Sequence, residues 1–389
     1  MDFEERIERG ADAEKWKGAK EKDELPLWVA DMDFACSDAI TAALHARADE
    51  RIYGYTSGMD DAYKTIVRAY YERHFGWRFP LEDLFFSQGI VQAISILVQL
   101  LSRPGEGIVI QTPVYHPFRR QIEANHRTCV TNPLIRHADG SYTMDLDDLR
   151  KKLSDPSVAG MILCSPHNPV GRVWTPEELK QVCAIAQEQH KWIISDEIHC
   201  DIVKAGHTHH MLESVAEEAA RDRIITCVAP TKTFNIAGLE CSHIIIHDAT
   251  IRQRWKEFVI DQLCISAPNC FAISAARAAY ADSDEWRAAM NRKIDENEAL
   301  ARAFLAEELP QAVLSPREGT YLLWLDLSAY ESDPKRLEQR MRQNARVHFN
   351  EGVMFGAEGA CFERINIACP SSILMEALRR MAAELRKQA

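Results

Sequence analysis

Five short runs in which almost every residue is Val, Ile or another apolar type set the limits on what this chain can become. They read GIVIQTP (107–113), AGMILCSP (159–166), KWIISDE (191–197), RIITCVAP (223–230) and CSHIIIH (241–247). A strand with one wet face alternates apolar and polar residues, whereas near-continuous Val and Ile content marks a strand buried on both faces. Amphipathic stretches separate the runs, the rhythm of a mostly parallel sheet wrapped in helices. One of them, TPEELKQVCAIAQEQH, carries its own punctuation: Thr175 is a predicted N-cap, Pro176 suits the first helical position, and Glu178 completes a capping box. Its Leu179, Val182, Cys183 and Ala186 recur at three- and four-residue spacing, as a helix packed on a sheet requires.

After residue 283 the rhythm changes. A charged stretch ending at Pro310 predicts one long helix, followed by TYLLWLDL, a helix near 334–344, ERINIACP and a last amphipathic helix from 371. The reading is an α/β chain in three parts. A segment over 1–45 joins a small domain, a large domain spans 46–282, and the rest of the small domain spans 283–389. Acidic residues outnumber basic ones by 58 to 46, a net charge of −12 without any acidic tail, which disfavours nucleic acid as a partner. Small molecules are the expected partners. The charged N-terminus lacks the apolar core of a secretory leader, and no window approaches the roughly 18 apolar residues of a membrane span, so the expected location is cytoplasmic. Eleven cysteines sit singly with no C-x-x-C, which predicts reduced, buried thiols in place of disulfides or zinc. The HTHH stretch (His207, His209, His210) reads as a solvated turn, and no metal is expected.

Ligands of an open parallel sheet bind beyond the carboxyl ends of its strands. The residues that follow each run are polar: Tyr115 after the first, Asn168 in a Pro-x-Asn-Pro turn after the second, Asp196 and His199 after the third, and Thr231-Lys232-Thr233 after the fourth. In FFSQGIVQAISILVQLL a short strand passes through Gly89 into a helix, whose first N–H groups can hold an anion. Each has a plain structural reading alone, as a turn cap, a loop former, a packed ring or a surface charge. Together they supply an anion seat, a buried acid, an amide, an aromatic plate and a lysine, the set that pyridoxal phosphate requires. Lys232 offers the amine for its aldehyde, and Asp196 keeps its ring nitrogen protonated. The backbone of Gly89, Ile90 and Val91 with the Thr231 hydroxyl would hold the phosphate. Asn168 and His199 would donate to the phenolic oxygen, and Tyr115 would stack on the ring.

The order of SQGIVQAI, TPVYHPF, SPHNPVGRVWT, SDEIHCD, TKTFNIAGL and FERINIACP resembles the fold-type I pyridoxal-phosphate enzymes of the class I/II aminotransferase superfamily. KWKG, LPLWVADMDFACSDAI, YGYTSG, DEIHCD and FNIAGLE are similar to the cystathionine β-lyase (MalY/PatB) group of carbon–sulfur lyases, from about residue 15 to the C-terminus. The resemblance implies a large domain with a mostly parallel seven-stranded sheet, a smaller α/β domain, and a homodimer with shared active sites. It implies that Tyr55 reaches the phosphate of the neighbouring subunit's cofactor, that Arg364 holds the substrate α-carboxylate, and that Ala30 lines the substrate pocket with its backbone. The implied reaction is β-elimination of L-cystathionine, cysteine or related S-substituted cysteines to a thiol, pyruvate and ammonia. Residues 330–362 are expected to border the entrance.

One departure bears on the choice of chemistry. Many aminotransferases carry an arginine for the phosphate eight residues after the lysine, and here that position is Glu240. A carboxylate facing a phosphate dianion is repulsive, so Glu240 must point away or be compensated. With His199 where aminotransferases usually have tyrosine, this favours a lyase. An aminotransferase of the same superfamily and a regulatory binding protein with secondary lyase activity are the rival readings.

Overall fold

The computed structural model describes residues 1–10, 12–19 and 22–387. The segments expected over 1–45 and 283–389 also include Ala11, Lys20, Glu21, Gln388 and Ala389, which lie outside these. Seven strands form the large sheet: β1 (Leu84–Ser87), β2 (Gly107–Ile110), β3 (Thr128–Thr131), β4 (Val158–Cys164), β5 (Trp192–Asp196), β6 (Ile224–Val228) and β7 (Ser242–Ile246). Their order is β1-β7-β6-β5-β4-β2-β3. Strands β2 to β6 pair in parallel, and β7 runs antiparallel to both β6 and β1. The apolar runs thus become strands, each shorter than its run because the polar residues at the ends leave the ladder.

Both faces of the sheet are buried, as continuous Val/Ile content requires. Ile108, Ile110, Ile162, Ile194 and Ile244 pack with helix α1 (Ile90–Leu101). Val109, Met161, Leu163, Ile193 and Ile224 pack on the opposite side with helix α2 (Pro176–Glu188). Each such side chain gains about 1.5–3 kcal/mol from leaving water. Helix α2 starts where its sequence says: Thr175 accepts from the Glu178 N–H while the Glu178 side chain accepts from the Thr175 N–H. Gly160 sits where β4 passes Trp192 on β5, and a Cβ there would overlap both the indole ring and the carbonyl of Trp192.

Helix α3 (Asp284–Glu308) leads to a second, antiparallel sheet of β8 (Val313–Leu314), β9 (Leu322–Asp326), β10 (Asn350–Glu351) and β11 (Phe362–Asn366), in the order β8-β9-β11-β10. Helix α4 (Ser371–Leu385) ends the fold. Near the start of the chain, Leu25–Pro26 pairs in parallel with Val347–His348.

Two expectations need correction. The HTHH stretch is not a uniformly solvated turn: His209 is buried and its Nε2 lies 2.8 Å from the buried Glu197 carboxylate, because Glu197 needs donors inside the protein. The cysteines are unpaired and mostly buried, but Cys264 is exposed. No helix among the described residues is long and apolar enough to cross a membrane.

Candidate active site

The carboxyl ends of the parallel strands open into a cavity of about 190 Å³. Its wall includes Ala30, Gly89, Ile90, Val91, Tyr115, Asn168, Asp196, His199, Thr231 and Lys232, so residues 202 positions apart in sequence meet at one place. Tyr55 is fully exposed and does not line the cavity of its own chain. Arg364, on β11, reaches the site through Asn168.

Lys232 sits in a single helical turn, Pro230–Thr233, directly beyond β6. Pro230 suits the first position of that turn, so β6 ends and the lysine is raised over the sheet edge. Its amine donates to the Ala30 carbonyl, which also accepts from the Tyr321 hydroxyl at 2.7 Å. Burial pushes the amine down from its ordinary 10.5 to about 8. The cation of Arg364 adds to that depression, against the opposing pull of Asp31 and Asp196.

Asp196 ends β5 and is buried. Its Oδ1 accepts from the Ile198 N–H at 3.2 Å, and among the described residues it forms no ion pair. Burial pushes it up to about 7, with Glu197 adding to the rise and the Ile198 N–H and Lys232 opposing it. A carboxyl group in this position calls for a cationic N–H partner, which a protonated pyridine ring provides. His199 is pushed down to about 3 by burial, with Lys232 and Arg364 adding to the fall, so it is a neutral imidazole. Its Nδ1 is buried without a hydrogen-bond partner among the described residues. Helix α1 begins at Gly89 without a side-chain cap, leaving first-turn N–H groups for an anion. The residues present therefore fit pyridoxal phosphate: a buried acid with no ion pair among the described residues, an orphaned imidazole nitrogen, an uncapped helix start and a base-competent amine share one cavity.

Arg364 is held from three sides. Its Nη1 donates to Asn168 Oδ1 at 3.1 Å, and its Nη2 donates to the Trp28 carbonyl at 2.8 Å and to Asn350 Oδ1. Its guanidinium carbon lies 4.9 Å from the centre of the Phe355 ring. Phe355 belongs to the 330–362 stretch, and its carbonyl accepts from the Val114 N–H at 2.9 Å, beside Tyr115 of the cavity wall, although no residue of that stretch is among those lining the cavity. Glu240 is exposed, in the left-handed conformation (φ 53°), and is not among the residues that line the cavity.

Sequence reasoning missed Gln88, Cys164, Ile198, Ala237 and Ser242 in the wall. Gln88 and Ile198 neighbour predicted residues. Ser242 escaped because only strand direction reveals it: β7 runs against the others, so its amino end, not its carboxyl end, meets the site. Tyr321 and Asn350, which hold Ala30 and Arg364, come from the second sheet and its approach and have no local signature.

A sheet of this topology with a lysine and a buried acid at its carboxyl edge places the chain in a known class: it belongs to the aminotransferase class I and II family, whose profile matches residues 22–381. Within that family it is 40% identical over 390 residues to the cystathionine beta-lyase PatB of Bacillus subtilis (strain 168), covering 99% of this chain and 100% of the relative. The fold is similar to cystalysin from Treponema denticola, which contains a pyridoxal 5'-phosphate cofactor, with a TM-score of 0.94 and 33% identity over 99% of this chain and 98% of that one. It is also similar to the PLP-bound C-S lyase from Staphylococcus hominis, with a TM-score of 0.91 and 33% identity over 100% of this chain and 98% of that one. The architecture is the fold-type I fold that the sequence implied.

Proposed function

We propose that this protein is a pyridoxal-phosphate-dependent carbon–sulfur β-lyase that converts L-cystathionine and related S-substituted cysteines into a thiol, pyruvate and ammonia. The observation that carries the reading is the cavity where Lys232, the buried Asp196 carboxyl and Asn168, which Arg364 holds from behind, converge, in a chain matching a cystathionine β-lyase along its whole length.

In this reading Lys232 would anchor the cofactor covalently, Asp196 would hold the proton on its ring nitrogen, and Asn168 and His199 would donate to its phenolic oxygen. Tyr115 would stack on the ring, and the N–H groups of Gly89, Ile90 and Val91 would hold the phosphate with the Thr231 hydroxyl. When bound, the cofactor supplies an electron sink for the charge left at the substrate Cα. Arg364 takes the α-carboxylate with its planar fork, while the Ala30 backbone borders the substrate. The freed Lys232 amine removes the Cα proton, and its return to the departing sulfur assists a leaving group that already departs readily as a thiolate.

We assign the chain to a cytoplasmic homodimer in which Tyr55 of each subunit completes the other's site. The full exposure of Tyr55, beside the exposed Ile52 and Tyr53, supports that assignment. The three-part division at 45 and 282 belongs to the same proposal.

The test is incubation of the purified, cofactor-loaded protein with cystathionine and no keto acid. Equal amounts of pyruvate and free thiol are expected, and Lys232→Ala should lose both turnover and the visible band of the bound cofactor. Turnover that requires a keto-acid acceptor would instead identify an aminotransferase.

A further inference from the structure

The stretch Trp28–Asp31, a strap that contributes Ala30 to the cavity wall, is half-exposed between the buried Leu27 on one side and the buried Met32 and Phe34 on the other. Beside the stacking of Trp28 on His348 and the packing of Ala30 on the core, this strap is held by hydrogen bonds to its backbone. Arg364 donates to the Trp28 carbonyl, Asn366 Nδ2 to the Val29 and Asp31 carbonyls, and Tyr321 and Lys232 to Ala30. A cavity of about 310 Å³, bordered by Arg9, Asp31, Asp33 and Asn235, adjoins it, and on that side Arg9 and Lys15 hold Asp31 by ion pairs.

Asn235 closes the other end. Its Oδ1 accepts from the Met32 N–H at 3.0 Å, while its Nδ2 donates to the Met32 carbonyl at 3.1 Å and the Phe34 carbonyl at 2.8 Å. It lies three residues after Lys232 in the left-handed conformation, φ 56°, which costs a non-glycine residue energy unless something repays it. The amide's three bonds do so. Lys232 to Ala30, and Asn235 just after the lysine turn to Met32 and Phe34 just after the strap, therefore join the two segments at two points, making a closed loop of contacts.

We infer that Asn235 is a positioning residue for the lyase reaction: by latching the strap to the lysine turn, it fixes the Ala30 carbonyl against the Lys232 amine and so sets where that amine stands when it meets the substrate Cα. This rests on the reading of Lys232 as the reaction's base. The latch itself is a property of the chain that can be measured without the cofactor.

Asn235→Gly is the diagnostic variant, because glycine adopts φ 56° freely and loses only the side-chain latch. Asn235→Ala loses the latch and adds backbone strain. In the cofactor-free protein, hydrogen exchange of a peptide spanning 28–36 should accelerate at least about fivefold in Asn235→Gly, while a peptide spanning β4 keeps its rate. In the loaded dimer, kcat should fall about 10- to 100-fold, with KM for cystathionine changing less than threefold, since Arg364 keeps its other partners. Unchanged exchange at 28–36, equal acceleration in β4, or a kcat within twofold of the parent would overturn the assignment. A parent protein that releases no pyruvate would refute the lyase reading alone, and the exchange comparison would still decide the latch.

Discussion

Arg364 on the smaller sheet donates to Asn168 on the loop beyond β4 at 3.1 Å, a side-chain bond between residues 196 positions apart. It aims one arm of the guanidinium at the cavity wall, while Asn350 and the Trp28 carbonyl hold the other. The fork is thus oriented before any substrate arrives, and its Nε is buried without a partner among the described residues. Lysine cannot reproduce that planar geometry. Arg364→Lys should lower kcat/KM for cystathionine by roughly 100-fold, matching about 3 kcal/mol of charge-assisted hydrogen bonding. The cofactor's visible band should persist. Steady-state kinetics beside an absorption spectrum check it, and a loss under fivefold would remove Arg364 from carboxylate binding.

Asp196 should tolerate no neutral isostere. Its burial without an ion pair among the described residues leaves it near 7 in the bare chain, and a cationic ring nitrogen against it restores the carboxylate form. Asn at this position keeps the shape and loses the charge. Asp196→Asn should lower kcat about 100- to 1,000-fold, the scale for deleting one preorganised electrostatic group, and should weaken cofactor retention. Rate measurement and equilibrium dialysis of pyridoxal phosphate test the two effects separately.

Burial of Lys232 predicts how the cofactor-free protein takes up pyridoxal phosphate as pH changes. Only the neutral amine attacks an aldehyde. With the amine pushed down to about 8, its neutral fraction grows as pH rises through 8 and saturates above, whereas an ordinary lysine would keep gaining toward 10.5. The rate of appearance of the visible band should therefore climb with a midpoint near pH 8 and level roughly one unit above it. Arg364 contributes to the depression, so Arg364→Gln should move the midpoint upward. A parent rate still climbing at pH 10 would contradict the burial of the amine.

Much of this site was legible in the sequence for a topological reason. Parallel strands all present their carboxyl ends to one edge, so reading the residue after each apolar run found Tyr115, Asn168, Asp196, His199 and Lys232 without knowing any distance. The capping box of Thr175 was equally local. Strand β3 was missed because TCVT is short, only partly buried and at the sheet edge, where the signal of double-faced burial is absent. Ser242 required the reversed direction of β7. Tyr321, Asn350, Asn235 and Asn366 act on backbone atoms brought close only by the fold, and an isolated asparagine or tyrosine carries no mark of that in sequence. His209 misled because its neighbours His207 and His210 are more accessible, while its partner Glu197 lies 12 residues earlier.

Asp201 ties the lysine turn to the helices behind it. Buried at the end of the loop beyond β5, it accepts from the Thr233 hydroxyl at 2.9 Å and the Tyr70 hydroxyl at 2.6 Å, and lies 3.5 Å from the Arg287 guanidinium. Thr233 follows Lys232 directly, so this carboxylate fixes the turn from below while the strap fixes it from above. Asp201→Ala leaves two buried hydroxyls without an acceptor and removes the carboxylate beside the Arg287 guanidinium. Each orphaned donor costs about 1–3 kcal/mol, so urea unfolding of the loaded variant should show a loss of about 2–6 kcal/mol. Thr233→Val removes one bond together with its donor and should cost about 1 kcal/mol. A loss below 1 kcal/mol in Asp201→Ala would mean that water replaces the carboxylate there, and that the turn carrying Lys232 is held by the strap alone.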